Sequence, residues 1–193
     1  YNIKRKAGQA PIEKHLRTVE SKIAESEQII NNLLFYARLK APRKEPVDIR
    51  TTLEECVSMT AQKAPRTVSI SLSPPTLNKG PIQADPIQIR EVFNNILGNA
   101  VDAVSMAEKE GRIEITIEED HTGSIRLRFS DNGPGIEKET LRKIFDPFFT
   151  TKTKGTGLGL SICSQIVGTH GGRLEVESAP GQGTAVILTL PRA

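Results

Sequence analysis

One stretch, residues 85–107, limits what this chain can become. Ile87, Ile89, Val92, Phe93, Ile96, Leu97, Ala100, Val101 and Val104 recur mostly at three- and four-residue steps, the pattern of a helix with one buried face. A second row runs along the same helix: Glu91, Asn95, Asn99 and, one turn on, Asp102. Four-residue spacing stacks side chains on one side of a helix. Asn is a poor helix former because its amide competes with the backbone for hydrogen bonds. Taken alone, the row reads as a solvated polar face. It also has the chemistry of oxygen ligands for a hard cation carrying phosphates, since Mg²⁺ needs only one or two protein oxygens beside phosphate and water. The choice depends on whether the rest of the chain supplies a nucleotide pocket.

The length, 193 residues, has room for one ordinary domain and an appendage. With 37% hydrophobic and 25% charged residues a core is feasible and wholesale disorder is not indicated. A net charge of +3 is too small to argue for nucleic acid. No apolar run has the length to cross a bilayer, and no 20–50-residue repeat is visible. The chain opens on Tyr1 without a signal peptide and reads as a fragment of a cytoplasmic protein or of the cytoplasmic part of a membrane-bound one. Cys56 and Cys163 both sit in apolar helical patterns, which predicts buried reduced thiols in a reducing compartment. The three histidines lack metal-site spacing.

From Ile12 onward, Ile12, Leu16, Val19, Ile23, Ser26, Ile30, Leu33 and Ala37 alternate steps of four and three, the seam of a coiled coil or bundle. Such a helix cannot bury its seam alone. It predicts pairing with another helix and with a second copy of the chain in a four-helix bundle; the alternative is docking on its own globular domain. The prolines of residues 41–46 break the helix, and the cut is expected near residue 43, giving units 1–42 and 43–193. Beyond it, strands are expected at 47–49, 68–72, 82–84, 112–118, 125–129, 173–177 and 185–190, and helices at 52–63, 137–144 and 156–169 besides the pivotal one. Leu53, Cys56, Val57 and Met59 are expected to face inward. Asp85 should cap the pivotal helix, with Pro86 at its first position. The sum is an α+β fold, a two-layer sandwich of mixed sheet faced by helices on one side.

Four pieces carry candidate chemistry. Residues 130–136, Ser-Asp-Asn-Gly-Pro-Gly-Ile, suit a turn after a strand. Two glycines bracketing a proline also suit a backbone stripped of Cβ atoms so that a flat ring can lie against it. A carboxylate at Asp131 can accept from an exocyclic amine, a donor that adenine offers and guanine lacks in the same place. Residues 154–160, Lys-Gly-Thr-Gly-Leu-Gly-Leu, put three glycines just before an apolar helix, an arrangement for binding an anion at the helix N-terminus. Neither the P-loop nor the dinucleotide fingerprint is present. Between them, Phe145, Phe148 and Phe149 flank a Thr- and Lys-rich segment that reads either as a hydrophobic staple under an inert loop or as a hinged lid, with Lys152 or Lys154 reaching a terminal phosphate. The turn at 181–184 is by itself an ordinary hairpin before the final strand; Thr184 in it has a hydroxyl with which to close the adenine side of a pocket.

In order, ExxxNxxxNAxDA, DNGPGI, FDPFFT, GTGLGL and GxGT resemble the N, G1, F and G2 boxes and final Gly-Thr of the sensor histidine kinase ATP-binding domain. That domain belongs to the wider superfamily of gyrase-type, Hsp90-type and mismatch-repair ATPases. The resemblance covers about residues 45–193. It implies ATP and Mg²⁺ as cofactors, with Asn99 coordinating Mg²⁺ and Asn95 beside it near the phosphates. It implies that Asp131 binds the adenine amine, with Gly133 and Gly135 letting the ring approach. Ile136, Phe145 and Thr184 would also contact the nucleotide, and Gly155, Thr156, Gly157, Leu158, Gly159 and Leu160 would shape the phosphate end of the lid. Many kinases of the family carry Lys where this chain has Asp102. In hydrolytic relatives the position of Asn95 is a Glu that activates water; an amide is a poor base, which favours transfer of the γ-phosphoryl over hydrolysis. Residues 12–40 look like the second helix of a dimerisation and phosphoacceptor hairpin, Tyr1–Lys6 like the tail of the first. No H-[ED]-x-x-N-P-L string is present, so the acceptor histidine is expected upstream of Tyr1. The implied partners are a second copy and the receiver domain of a response regulator, with no nucleic acid and no membrane contact. The alternatives are a nucleotide-sensing module without transfer and a hydrolytic ATPase.

Overall fold

The computed structural model describes residues 12–20, 22–23, 26–27, 30, 41–73, 80–105, 110–152 and 155–192. The chain divides into two compact units: Tyr1–Leu39 with Thr150–Thr156, and Lys40–Phe149 with Gly157–Ala193.

In the first unit, residues 12–20 and the described positions as far as 30 are helical; this is α1. Leu16, Val19, Ile23 and Ile30, all seam positions, are exposed. Leu33, Ala37 and Tyr1–Lys6 lie outside the described residues.

The second unit runs β1 (Glu45–Val47), α2 (Ile49–Lys63), β2 (Val68–Leu72), β3 (Ile82–Ala84), α3 (Pro86–Ser105), β4 (Gly111–Glu119), β5 (Ile125–Asp131), α4 (Lys138–Leu141), α5 (Gly159–Thr169), β6 (Arg173–Ser178) and β7 (Thr184–Leu190). A five-stranded sheet in the order β2-β4-β5-β7-β6 is parallel only between β2 and β4, and β1 pairs with β3 in a small antiparallel ribbon. Helices α2, α3 and α5 pack on one another and on β2, β4, β5 and β6. This is the expected α+β sandwich with an N-terminal helix.

The core follows from the two periodicities. Along α3, Ile89, Val92, Phe93, Ile96, Leu97, Ala100 and Val104 are buried; along β4 and β5, alternate residues Ile113, Ile115, Ile117, Ile125, Leu127 and Phe129 are. Phe93 and Phe129 meet across the layers with ring centroids 6.1 Å apart. On the opposite face of the sheet, the Arg128–Glu177 ion pair at 2.9 Å spans β7 from β5 to β6. By register it lies over Ala185 and Ile187, both buried.

Several expectations shift. The first strand ends at Val47, not Ile49, because the Asp48 side chain accepts from Thr51 N–H and starts α2 there. Ile87 is 72% exposed, not core. Four-residue steps place it on the row of Glu91, Asn95 and Asn99, while Gln88 turns inward in its place. Met59 is 55% exposed, since the buried face of α2 ends at Cys56. α4 is one turn, followed by turns to Phe148. α5 begins at Gly159 rather than Thr156, so only the last of the three glycines belongs to the helix. Both cysteines are free and buried, as expected. No helix among the described residues is long and apolar enough to cross a membrane.

Candidate nucleotide site

The site grows from the start of α3. Asp85 is buried, and its Oδ1 accepts from Ile87 and Gln88 N–H at 3.0 and 3.1 Å, the expected cap. Pro86 follows as the first helical residue, where it loses no hydrogen bond.

Two turns on, Asn95 is half-buried. Its Nδ2 donates to the Glu91 carbonyl at 3.0 Å and to Glu91 Oε1 at 2.8 Å. With the NH₂ tethered backward, Oδ1 points at the first residue of α5: a Cβ built on Gly159 would lie 2.8 Å from it. Asn99 follows one turn later, half-buried, and Ala103 a turn after that. Ala103 is where the loop after β5 lands, because a Cβ on Gly133 would stand 3.1 Å from Ala103 Cβ. The row Asn95–Asn99–Ala103 therefore runs from the α5 N-terminus to the β5 loop. At 1.5 Å per residue its eight steps cover about 12 Å.

At the far end, Asp131 closes β5 opposite Thr184, the first residue of β7. Its Oδ1 accepts from Gly133 N–H at 2.8 Å. Burial raises the Asp131 pKa above the usual carboxylate range, and the Gly133 and Thr184 backbone N–H groups pull it partly back. The flanking loop is tied to the β6–β7 turn. Ser178 Oγ accepts from Ile136 N–H at 2.9 Å, donates to the Gly183 carbonyl at 2.7 Å and lies 3.0 Å from Thr184 Oγ1. Gly181 N–H donates to the Pro134 carbonyl at 2.6 Å. Ser178 escaped the sequence reading: its partner Ile136 is 42 residues away and no local pattern marks it. Asn132 proves architectural, extending the β4–β5 pairing with Oδ1 accepting from Arg112 N–H at 2.8 Å and Nδ2 donating to the Glu110 carbonyl at 2.9 Å.

The loop glycines also have a backbone reason. Gly135 has φ +75°, and a Cβ there would overlap the Ala179 carbonyl; Gly183 has φ +81°, and its Cβ would overlap the Asp131 carbonyl. Both allow backbones to cross. Gly157, φ +68°, would drive a Cβ into the backbone of Phe148, itself at φ 67° and exposed.

The structure brings together Asn95, Asn99, Gly133, Asp131, Thr184 and Gly159. Ile136 and Phe145 are half-buried in the same unit, Leu158 is buried in the core, and Leu160 is half-buried on α5. Asp102 is exposed, one residue off the Asn95–Asn99–Ala103 row. Lys152, Gly155 and Thr156 belong to the first unit, in a tight turn where Gly155 N–H donates to the Lys152 carbonyl at 3.3 Å and Lys152 N–H to Thr150 Oγ1 at 3.1 Å. Lys154 lies outside the described residues.

The donor set suits a nucleotide with a hard cation. Amide oxygens in a half-buried row, one held in orientation by Glu91, match a cation that takes few protein ligands and completes its shell with phosphate and water. A desolvated carboxylate at the far end matches an amine donor.

Residues 84–193 match the family model described as histidine kinase-, DNA gyrase B- and HSP90-like ATPase. The chain is 34% identical over 166 residues to the sensor histidine kinase ZraS of Klebsiella oxytoca, covering 85% of this chain and 35% of that protein. Among solved structures, full-length ShkA in complex with AMPPNP gives a TM-score of 0.78 at 28% identity, covering 100% of this chain and 40% of ShkA. The complex of histidine kinase ThkA with response regulator protein TrrA gives 0.79 at 25% identity, covering 97% of this chain and 53% of ThkA. The chain spans about a quarter to a third of the length of the curated relatives it matches.

Proposed function

Because the chain belongs to the histidine kinase-, DNA gyrase B- and HSP90-like ATPase family, we propose that its α+β unit binds ATP with Mg²⁺ and serves as the phosphoryl-donating core of a sensor histidine kinase. The observation that carries this is the Asn95–Asn99 row, bounded by Gly159 at one end and by Gly133 with Asp131 at the other. Asp131 accepts the adenine amine, with Thr184 beside it. Asn99 supplies an oxygen to Mg²⁺, and Asn95 lies toward the phosphates. Bound Mg²⁺ offsets charge on the phosphate oxygens, the main electrostatic demand of phosphoryl transfer. Asn95 is neutral and its NH₂ is held by Glu91, so it does not act as a base toward water, which favours transfer to a protein acceptor.

An acceptor histidine other than the three present here is supported by what they are: His170 is buried and bonded on both nitrogens, His121 lies in the β4–β5 turn, and His15 on α1 opens no H-[ED]-x-x-N-P-L string. The exposed α1 seam supports a homodimer, and the ThkA–TrrA complex supports a receiver domain as the onward acceptor, in the cytoplasm. The test is titration with a non-hydrolysable ATP analogue and Mg²⁺ against wild type, Asp131→Ala and Asn99→Ala. It is paired with label transfer from ATP to a separately supplied acceptor hairpin. Binding lost in both variants and label on the hairpin are expected. Unchanged affinity in both variants refutes the site, and steady phosphate release without transfer makes the domain a hydrolase.

A further inference from the structure

His170 is 3% exposed and is the C-cap residue of α5. Its Nε2 accepts the Asp85 backbone N–H at 3.0 Å, and its Nδ1 lies 2.8 Å from the Ile166 carbonyl. A ring nitrogen that accepts an amide N–H carries no proton, so the proton is on Nδ1 and is donated to Ile166. The neutral imidazole thus joins the end of α5 to the residue that caps α3.

The same two helices pack on one another, and two further contacts mark their register. Cys163 Sγ lies 3.8 Å from the Val92 carbonyl, and Gly159 abuts Asn95 Oδ1. The three contacts form an antiparallel ladder. From Asp85 to Asn95 is ten residues and from His170 back to Gly159 is eleven, so the outer rungs are about 15 and 16 Å apart on the two helices. Two rods of matched length pinned at both ends cannot slide. A slip of one residue, about 1.5 Å, at His170 would carry Gly159 past Asn95 by the same amount. Asp85 gathers a third element, since its Oδ2 accepts from Arg43 N–H at 3.0 Å where the chain enters this unit.

We propose that His170 is a positioning residue for the nucleotide site: by holding Asp85, it sets the register of α5 against α3 and hence of Gly159 and Leu158 against Asn95 and Asn99. This rests on the reading of those two helices as the nucleotide-binding pair.

Two substitutions separate the bonds His170 makes. His170→Gln carries an oxygen at the distance of Nε2 and restores acceptance of the Asp85 N–H. His170→Asn carries an amide only at the distance of Nδ1, restoring the bond to Ile166 but not the one to Asp85. Affinity for an ATP analogue with Mg²⁺ is measured on folded protein, together with amide hydrogen exchange along α3. Gln is expected to bind within about two-fold of wild type, and Asn roughly ten-fold more weakly, the scale of one unmade hydrogen bond to a buried donor. Exchange at Asp85 and near Asn95 rises in Asn and not in Gln. Equal behaviour of Gln and Asn, or faster exchange in Asn with unchanged affinity, overturns the proposal. Should wild type bind no nucleotide, the functional reading fails. The exchange comparison near Asn95 then still decides whether His170 holds the register.

Discussion

Gly183 passes beneath Asp131 so closely that any Cβ on it would overlap the Asp131 carbonyl oxygen. With φ at +81°, Gly183 also sits where side-chain-bearing residues are strained. Gly183→Ala therefore meets two obstacles at once: the left-handed conformation, about 1–2 kcal/mol, and a backbone clash that only strand displacement relieves. A loss of roughly 3 kcal/mol or more is expected, which for a chain of this size lowers Tm by about 6–12 °C. Calorimetry that finds Tm within about 2 °C of wild type refutes the close approach.

Asp131 itself should separate stability from binding. Burial raises its folded pKa above the unfolded value. The protonated carboxyl therefore favours the fold below the unfolded pKa, and that contribution disappears as pH rises through the folded pKa. Asp131→Asn removes the titration. Denaturant midpoints at pH 4 and pH 7 should show the Asn variant gaining on wild type as pH rises, whatever constant offset the lost bond from Thr184 N–H introduces. Analogue affinity should fall by roughly 10- to 100-fold, as expected for losing a hydrogen bond to a charged group. A stability difference that does not move with pH would remove the desolvation argument.

The reach of the sequence was set by distance along the chain. The buried face of α3, the β4–β5 hairpin and the Asp85 cap were legible because the 3.6- and 2-residue periods and the capping rule are local. Ile87 shows that apolarity is not burial: its four-residue step to Glu91 puts it on the polar row. Gly135 and Gly183 were recognisable as positions needing glycine. The backbone crossing that also demands them, between the 131–136 loop and the β6–β7 turn, depends on partners 44 and 52 residues away. Ser178 and His170 bond to residues 42 and 85 positions distant, and nothing beside them in sequence announces it.

Arg192 is the ion-pair residue whose removal should matter. It bonds Glu119 at 3.2 Å with the two side chains only 19% and 9% exposed, and it also donates to the carbonyls of Gly80 and of Gly123 at 3.3 Å. Those contacts fasten the approach to β3, and through it Asp85, to the β4–β5 turn. Arg192→Ala is expected to cost roughly 2–4 kcal/mol, because it takes a partner from a buried carboxylate and two carbonyls. The Arg50–Glu54 pair on α2 is about half exposed on both sides, and Arg50→Ala should cost under about 0.5 kcal/mol. Urea denaturation of the two variants decides it: comparable losses would mean that the Arg192 cluster is as solvent-screened as the surface pair.

Asn95 and Gly159 should be coupled with a change of sign. Gly159 is the first residue of α5, where Ala would ordinarily favour the helix by up to about 1 kcal/mol. In wild type the added Cβ would sit 2.8 Å from Asn95 Oδ1, and Asn95 cannot swing away without breaking its bonds to Glu91. Gly159→Ala is therefore expected to destabilise the protein by about 1 kcal/mol, the contact outweighing the propensity. In an Asn95→Ala background the obstacle is gone and the same substitution should become neutral or stabilising. The double-mutant cycle then gives an interaction energy of roughly 1–2 kcal/mol. A Gly159→Ala effect equal in the two backgrounds within about 0.3 kcal/mol would mean that the amide does not face α5. The Asn95–Asn99 row would then lose its boundary at the α5 N-terminus.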